Sequence, residues 1–325
     1  MGTRFAIFAA LISITVFTGI MPAAGQVWLP MQAPQGSWQG LALSADGKRQ
    51  IAVGDAIYIS KNFGLTWNLA FSNDQAWSCV ASSAKGDKLI AASGFNLYTS
   101  TDGGANWSLD APLGEFWASV TMSANGKFMA AVDFYGTLVY TSTNSGVTWV
   151  SNTIPSLDDD EVFGLPRSIA CSVDGAKLAL ATLNGTIFLS ADSGVTWTPS
   201  SAPIENWSCI TTSADAKRLY ATGYNLDSEV SQVFSSNDSG ATWTPTSAPN
   251  EPWFSIAASR DGKQVVTCAG GWEFTGDIYT SSDFGRSWHR APQPPNNYWY
   301  AVACSANGIV QTAATFGGNI YLGLR

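Results

Sequence analysis

The chain has 325 residues, 46% of them hydrophobic and only 12% charged, with 31 Gly, 14 Trp and a net charge of −8. That length suits one large domain or two small ones, and the profile favours short strands and tight turns over long charged surface helices. An acidic chain without a basic run weighs against nucleic acid and anionic membrane surfaces as partners, because both require Lys and Arg to neutralise phosphates.

The first predicted element is a targeting segment. Arg4 precedes an apolar run from Phe5 to Ile20, and Pro22-Ala23-Ala24-Gly25 follows it. This pattern predicts a signal peptide over 1–25, cleaved near Ala24 or Gly25. Residues 26–325 then form one domain that is secreted, periplasmic or displayed at the cell surface. No Cys follows the apolar run, so a lipid anchor is not indicated. No later run is long and apolar enough to span a bilayer once the segment is removed.

Two repeat registers run down the remaining chain. One begins at Trp38, Trp77, Trp117, Pro166, Trp207, Trp253 and Trp299, and each start is followed six residues later by Ser: Ser44, Ser83, Ser123, Ser172, Ser213, Ser259 and Ser305. The other is a box: "SKNFGLTW" (Ser60 to Trp67), "STDGGANW" (Ser100 to Trp107), "STNSGVTW" (Ser142 to Trp149), "SADSGVTW" (Ser190 to Trp197), "SNDSGATW" (Ser236 to Trp243) and "SSDFGRSW" (Ser281 to Trp288). Successive boxes are 40 to 48 residues apart. Seven first halves against six boxes leave one unit incomplete. "VWLPMQAPQGSW" (Val27 to Trp38) matches "TWTPTSAPNEPW" (Thr242 to Trp253), so the N-terminus is predicted to supply the missing strand. Asp-Gly or Asn-Gly pairs such as Asp46-Gly47, Asn125-Gly126 and Asp261-Gly262 punctuate the first two strands of a unit and accept the positive φ of tight hairpins. Four antiparallel strands per unit, closed in a circle, predict an all-β, seven-bladed β-propeller of four-stranded blades whose last blade is closed by the N-terminal strand.

The boxes resemble the Asp-box (BNR) repeat, S-x-D-x-G-x-T-W, found in sialidases, sortilin-type receptor ectodomains, two-propeller xyloglucan hydrolases and photosystem II assembly factors. The resemblance spans nearly the whole mature chain and implies that each box is the turn between the third and fourth strands of a blade. Its acidic position falls at Asn62, Asp102, Asn144, Asp192, Asp238 and Asp283. The carboxylate or amide there is expected to accept turn amides while Trp packs between blades. Asn at two copies suits a turn cap and not a catalytic carboxylate. The photosystem assembly resemblance implies a lumenal or periplasmic protein with a basic patch, whereas this chain is acidic.

In a four-stranded blade the boxes and Asp-Gly turns share one face. The opposite face then carries Trp38, Trp77, Trp117, Trp207, Trp253 and Trp299 as a collar, with Pro166 in the slot of blade four. Glu115, Glu205 and Glu251 stand two residues before three of these Trp, and the loops between second and third strands add Phe95, Phe134, Tyr135, Tyr224, Trp272, Phe274 and Phe316 to the same face. Aromatic platforms beside carboxylates suit a glycan or a protein ligand, identity open; the alternative is that each Trp simply packs on its neighbouring blade. Asp158, Asp159, Asp160 and Glu161 form an acidic loop that lacks the alternating spacing of calcium loops and reads as solvated.

The inventory argues against catalysis. The one His, His289, follows a box Trp on an expected outer strand, which removes His triads and zinc sites. Sialidases resemble this chain in their boxes but need an arginine triad. Here Arg49, Arg218, Arg260 and Arg286 fall on the box face, Arg290 on an outer strand, and only Arg167 faces the collar. The remaining enzymatic alternative is a carboxylate-dependent glycoside hydrolase using two of Glu115, Glu205 and Glu251. The five Cys contain no CxxC pair and lie in strand-like runs, which reads as buried small side chains, with one or two disulfides left open. The expectation is a monomeric, non-catalytic binding or scaffold module without metal or cofactor.

Overall fold

The computed structural model describes residues 26–73, 75–110, 116–155, 164–271, 274–292 and 297–324. Among them lie seven four-stranded antiparallel sheets, each in meander order, and no helix. The first blade runs outward from the axis as Gly40–Leu43, Gln50–Val53, Ile57–Ser60 and Asn68–Phe71. Blades two to six start at Trp77, Trp117, Leu165, Asn206 and Trp253. The seventh uses Trp299–Cys304, Val310–Thr315 and Ile320–Leu324, then takes Val27–Pro30 as its outer strand, paired antiparallel with Val27 opposite Leu324. The expected circular closure by the N-terminus is therefore the observed one.

Burial follows from position within a blade. Second strands are covered by neighbouring blades on both faces, so Leu89–Ser93, Met129–Asp133 and Val265–Ala269 are buried at every residue. Their sequences, LIAAS, MAAVD and VVTCA, are accordingly near-continuous runs of small and β-branched residues. Outer strands such as Ser108–Asp110 and Thr198–Pro199 are mostly exposed.

The recurring Ser of the first register pins the turn between strands one and two. Ser44 Oγ donates to Asp46 Oδ1 at 2.6 Å and accepts from the Arg49 amide at 2.9 Å. Ser172 repeats this with Asp174 and the Lys177 amide, and Ser305 with Asn307 and the Val310 amide. These hydroxyls are buried, so each takes up polar groups that would otherwise be left without partners.

Just beyond that Ser, one backbone bond joins each blade to the next. Ala45 N–H donates to the Ala84 carbonyl, Ala84 to Ala124, Ala124 to Val173, Val173 to Ala214, Ala214 to Arg260, Arg260 to Ala306, and Ala306 back to Ala45. All seven bonds are 2.7 to 2.9 Å long and form a closed ring around the box-face end of the central channel.

The boxes behave as turn staples. Ser190 Oγ donates to Asp192 Oδ1 at 2.8 Å and accepts the Gly194 amide at 2.9 Å, while the Thr196 amide and hydroxyl donate to the two Asp192 oxygens. In the Asn copies the polarity of the last bond reverses, with Asn62 Nδ2 donating to Thr66 Oγ1 at 2.9 Å and Asn144 Nδ2 to Thr148 Oγ1 at 2.8 Å. A hydroxyl both donates and accepts, which is why Asp and Asn serve equally here. Asp102, Asp238 and Asp283 make the same set of contacts, with Asn106 or a hydroxyl as the side-chain partner. Hydrogen bonds from the backbone and side chain of Asn106 hold the Asp102 carboxyl at about 2, and those from Thr196 do the same for Asp192.

Candidate functional site

The collar Trp residues do not form an exposed platform. Trp38, Trp77, Trp117, Trp207, Trp253 and Trp299 are between 0% and 4% exposed. Each packs into the preceding blade. Trp77 lies among Ile51, Val53 and Ile57, Trp117 among Ile90, Ala92 and Leu97, and Trp207 among Ala179, Ala181 and Ile187. Trp38 Nε1 donates to the Gly318 carbonyl, and Trp207 Nε1 to that of Gly185, each at 3.0 Å. Every one also meets an aromatic two residues before its own blade's third-strand Ser or at the matching slot: Trp38 with Tyr58, Trp117 with Tyr140, Trp207 with Phe234, Trp253 with Tyr279 and Trp299 with Tyr321 edge to face, Trp77 with Tyr98 tilted. The expectation of a ligand-contacting collar is thus corrected. These indoles are the inter-blade core, because burying a ring this large against two blades outweighs leaving it in water.

What the collar face does expose is a second set of aromatics, one shell further out. Phe95 is 58% exposed, Tyr135 73% and Phe274 58%, and Phe116, Tyr224, Tyr298 and Phe316 are exposed as well. On one side of the channel, Phe95 meets Phe116 at 6.0 Å, Phe116 meets Tyr135 at 5.9 Å, and Tyr135 meets Phe134 at 5.0 Å. On the other, Phe254 lies 4.4 Å from Tyr300, which lies 5.8 Å from Phe316. Of the residues expected on this face from the sequence, Phe95, Tyr135, Tyr224, Phe274 and Phe316 join this surface. Glu115 and Trp272 lie outside the described residues, as does the acidic loop Asp158 to Glu161.

Between the two aromatic groups opens the central channel, about 570 Å³, lined by the first strands of all seven blades. The residue after each Trp slot sits at a β-bulge in blades two to seven, which re-aims its side chain toward the axis. These residues are Ser78, Ala118, Arg167, Ser208, Phe254 and Tyr300, all on the channel wall. Arg167, the expected collar-facing arginine, is the one charged side chain on that wall among the described residues, and its guanidinium lies 5.8 Å over the Phe134 ring. It comes from the blade that carries Pro166 in place of Trp. Deeper in, small side chains bridge neighbouring blades: Ser119 Oγ accepts the Ile169 amide, Ser168 Oγ the Ile210 amide, and Ser255 Oγ the Val302 amide. The five cysteines are free thiols, and burial pushes Cys79 to about 12 and Cys171 to about 11, so neither is a ready nucleophile.

Of the carboxylates nominated for hydrolysis, Glu205 and Glu251 each have one oxygen engaged locally. Glu205 is buried, with Oε1 accepting from Asn225 Nδ2 at 3.3 Å, and desolvation raises its pKa. Glu251 accepts from the Tyr279 hydroxyl at 3.2 Å. His289 lies exposed on the outer strand of blade six, beside Arg290, which pairs with Asp277 at 2.8 Å. No group of three His, Cys, Asp or Glu residues among the described residues is placed to hold a metal ion.

The sequence reading placed Phe95, Phe134, Tyr135, Tyr224, Phe274 and Phe316 on this face but not Phe116 or Tyr298, each of which directly precedes a collar Trp. It also missed the third-strand Tyr or Phe that covers each collar Trp. That signal was present, as an aromatic two residues before the box Ser in every copy: Tyr58, Tyr98, Tyr140, Phe188, Phe234 and Tyr279.

The BNR/Asp-box repeat family matches residues 98–109, the second box and its flanks. No curated protein matches the sequence. Among solved structures, YCF48 from Cyanidioschyzon merolae superposes with a TM-score of 0.69 at 18% identity, over 91% of this chain and 98% of that one. A structure of YCF48 bound to D1 peptide gives 0.65 at 15%, over 94% and 98%. The propeller domain of Cps50 (Swd1) from Myceliophteria thermophila gives 0.68 at 12%, over 90% and 98%. At these identities the likeness is one of fold, and fold does not carry function. The chain is a seven-bladed β-propeller with a BNR/Asp-box repeat match at residues 98–109.

Proposed function

We propose that this chain is an exported, non-catalytic propeller that holds an extended protein segment across the channel mouth on the face opposite the boxes. The observation that carries this reading is the pair of aromatic groups flanking the mouth, Phe95–Phe116–Tyr135 and Phe254–Tyr300–Phe316, with Arg167 on the channel wall between them. Exposed aromatics in contiguous groups mark binding surfaces, and Tyr, Phe and Arg are the side chains that dominate protein interfaces. A propeller of similar fold, YCF48, has been captured with a peptide bound. Export is the expectation from the segment 1–25, with its Arg4 and the apolar run from Phe5 to Ile20.

The test is a random linear-peptide display library panned on the protein, with a Phe95→Ala/Tyr135→Ala variant as counter-selection, run beside a glycan array. Peptides retained by the native surface and released by the variant support the reading. Glycan capture without peptide capture overturns it. The hydrolase alternative is supported if a glycosidase activity is measured and is lost in Glu205→Gln or Glu251→Gln.

A further inference from the structure

The geometry points to a second site, on the box-bearing face between blades five and six, that binds a ligand carrying two phosphoryl or sulfuryl groups. Every lysine of the chain, with Arg49, Arg218, Arg260 and Arg286, lies in the turns of that face. Most of these are repeat features. Lys48, Lys127, Lys217 and Lys263 share one slot of the first hairpin, and their spacing merely reflects the fold.

Two arginines break the repeat, and both do so in blade six. The slot after the hairpin Ser is Ala or Val in six blades (Ala45, Ala84, Ala124, Val173, Ala214, Ala306) and Arg260 in the sixth. The box slot before Thr/Ser/Asn-Trp is Leu65, Ala105, Val147, Val195 or Ala241 elsewhere and Arg286 here. Arg260 lines a cleft of about 690 Å³ with Lys217, Asp215 and Asp261, and Arg286 lines one of about 560 Å³ with Phe284, Thr246 and Ser247. The two clefts share a wall made by Arg218 and Asn237.

Arg218 is held in place. One guanidinium nitrogen donates to Asn237 Oδ1 at 2.5 Å, and the group lies 4.1 Å over the Phe284 ring. Fixing the planar fork in advance lowers the ordering cost of binding an oxyanion. The carboxylates nearby are engaged within their own turns. Asp215 Oδ1 accepts from Ser213 and the Lys217 amide, Asp261 Oδ1 from Ser259 and the Lys263 amide, and both oxygens of Asp283 from Ser281 and Ser287. Among the described residues the ion pair present is Arg290–Asp277, on another part of the blade. Arg260 on one side and Arg286 on the other, with Arg218 between, thus suit a ligand with one oxyanion in each cleft, read through charge-assisted, forked hydrogen bonds. The chain's overall acidity supplies no long-range attraction, so recognition is local and falls with salt.

The experiment titrates the protein at low ionic strength with tripolyphosphate, with orthophosphate, and with a doubly sulfated disaccharide, against Arg260→Ala and Arg286→Ala singly and together. Ala is what other blades carry at both slots, so folding is preserved and a thermal melt verifies it. The expected result is that tripolyphosphate, the disaccharide or both bind better than orthophosphate. Each single variant should weaken binding by roughly tenfold, the scale of one charge-assisted hydrogen bond, and the double variant should abolish it. The arm that binds identifies the source of the oxyanion. The proposal is overturned by no binding of either polyanion to the native protein, or by binding unchanged in Arg260→Ala/Arg286→Ala.

Discussion

The Ala306 amide donates to the Ala45 carbonyl at 2.9 Å, so the last blade is bonded to the first at the foot of the channel as well as along the shared outer strand. Closure therefore has two independent parts. The backbone ring fixes the inner edge, and the N-terminal strand covers the outer one by burying Trp28 at 3% exposure against Ile278, Trp299 and Ala313. Trp28→Ala removes the outer part alone, and its expected cost is about 3–5 kcal/mol in denaturant unfolding, the range for a buried Trp. A change below about 1 kcal/mol would show that the ring alone closes the propeller.

The box is predicted to be a staple whose buried partner is the hydroxyl, more than the carboxylate. Ser190→Ala leaves the Gly194 amide and Asp192 without their shared partner and is expected to cost about 1–3 kcal/mol. Asp192→Asn reproduces the arrangement of Asn62 and Asn144 and is expected to leave the unfolding midpoint nearly unchanged. Equal losses in the two variants would contradict the assignment.

One acidic group is predicted to act against the folded state at neutral pH. Asp110, on the outer strand of blade two, has its pKa raised to about 6 by desolvation, with Thr99 donating to Oδ1 at 3.0 Å. The folded state then holds the proton more tightly than the unfolded chain, whose carboxyl titrates near 3.8. Its favourable contribution is complete below that value and is lost as pH rises through about 6. Asp110→Asn is expected to flatten this part of the stability profile between pH 4 and 6. An unchanged slope across that window would exclude Asp110 as its source.

The blade count, the strand order and the closing strand were legible because they rest on staples that repeat at fixed spacing: Ser44 and its six equivalents, the six boxes, and the Trp28 match to Trp243. The site was legible only in part, for the same reason. Repetition marks what every blade needs, and what every blade needs is packing, so the six collar Trp residues drew the functional reading while serving as core. Phe95, Tyr135 and Phe316 could be placed on this face from their loops between second and third strands, but their exposure and their grouping with Phe116 are set by packing that no repeat encodes. Arg260 and Arg286 are separated in sequence and converge on Arg218 only through the turn geometry of adjacent blades. Arg167 was legible by elimination, since Arg49, Arg218, Arg260 and Arg286 fall on the box face and Arg290 on an outer strand.

The central claim is that a protein segment lies across the channel mouth on the outer aromatics. Its most direct measurement is the affinity of a library-selected linear peptide for the native protein and for Tyr135→Ala, Phe95→Ala and Arg167→Gln, by calorimetry. The aromatic truncations are expected to weaken binding by roughly tenfold or more each, as for interface anchors, and Arg260→Ala on the opposite face is expected to leave it unchanged. Affinity that is insensitive to all three collar-face variants, or that falls with Arg260→Ala instead, would contradict the account.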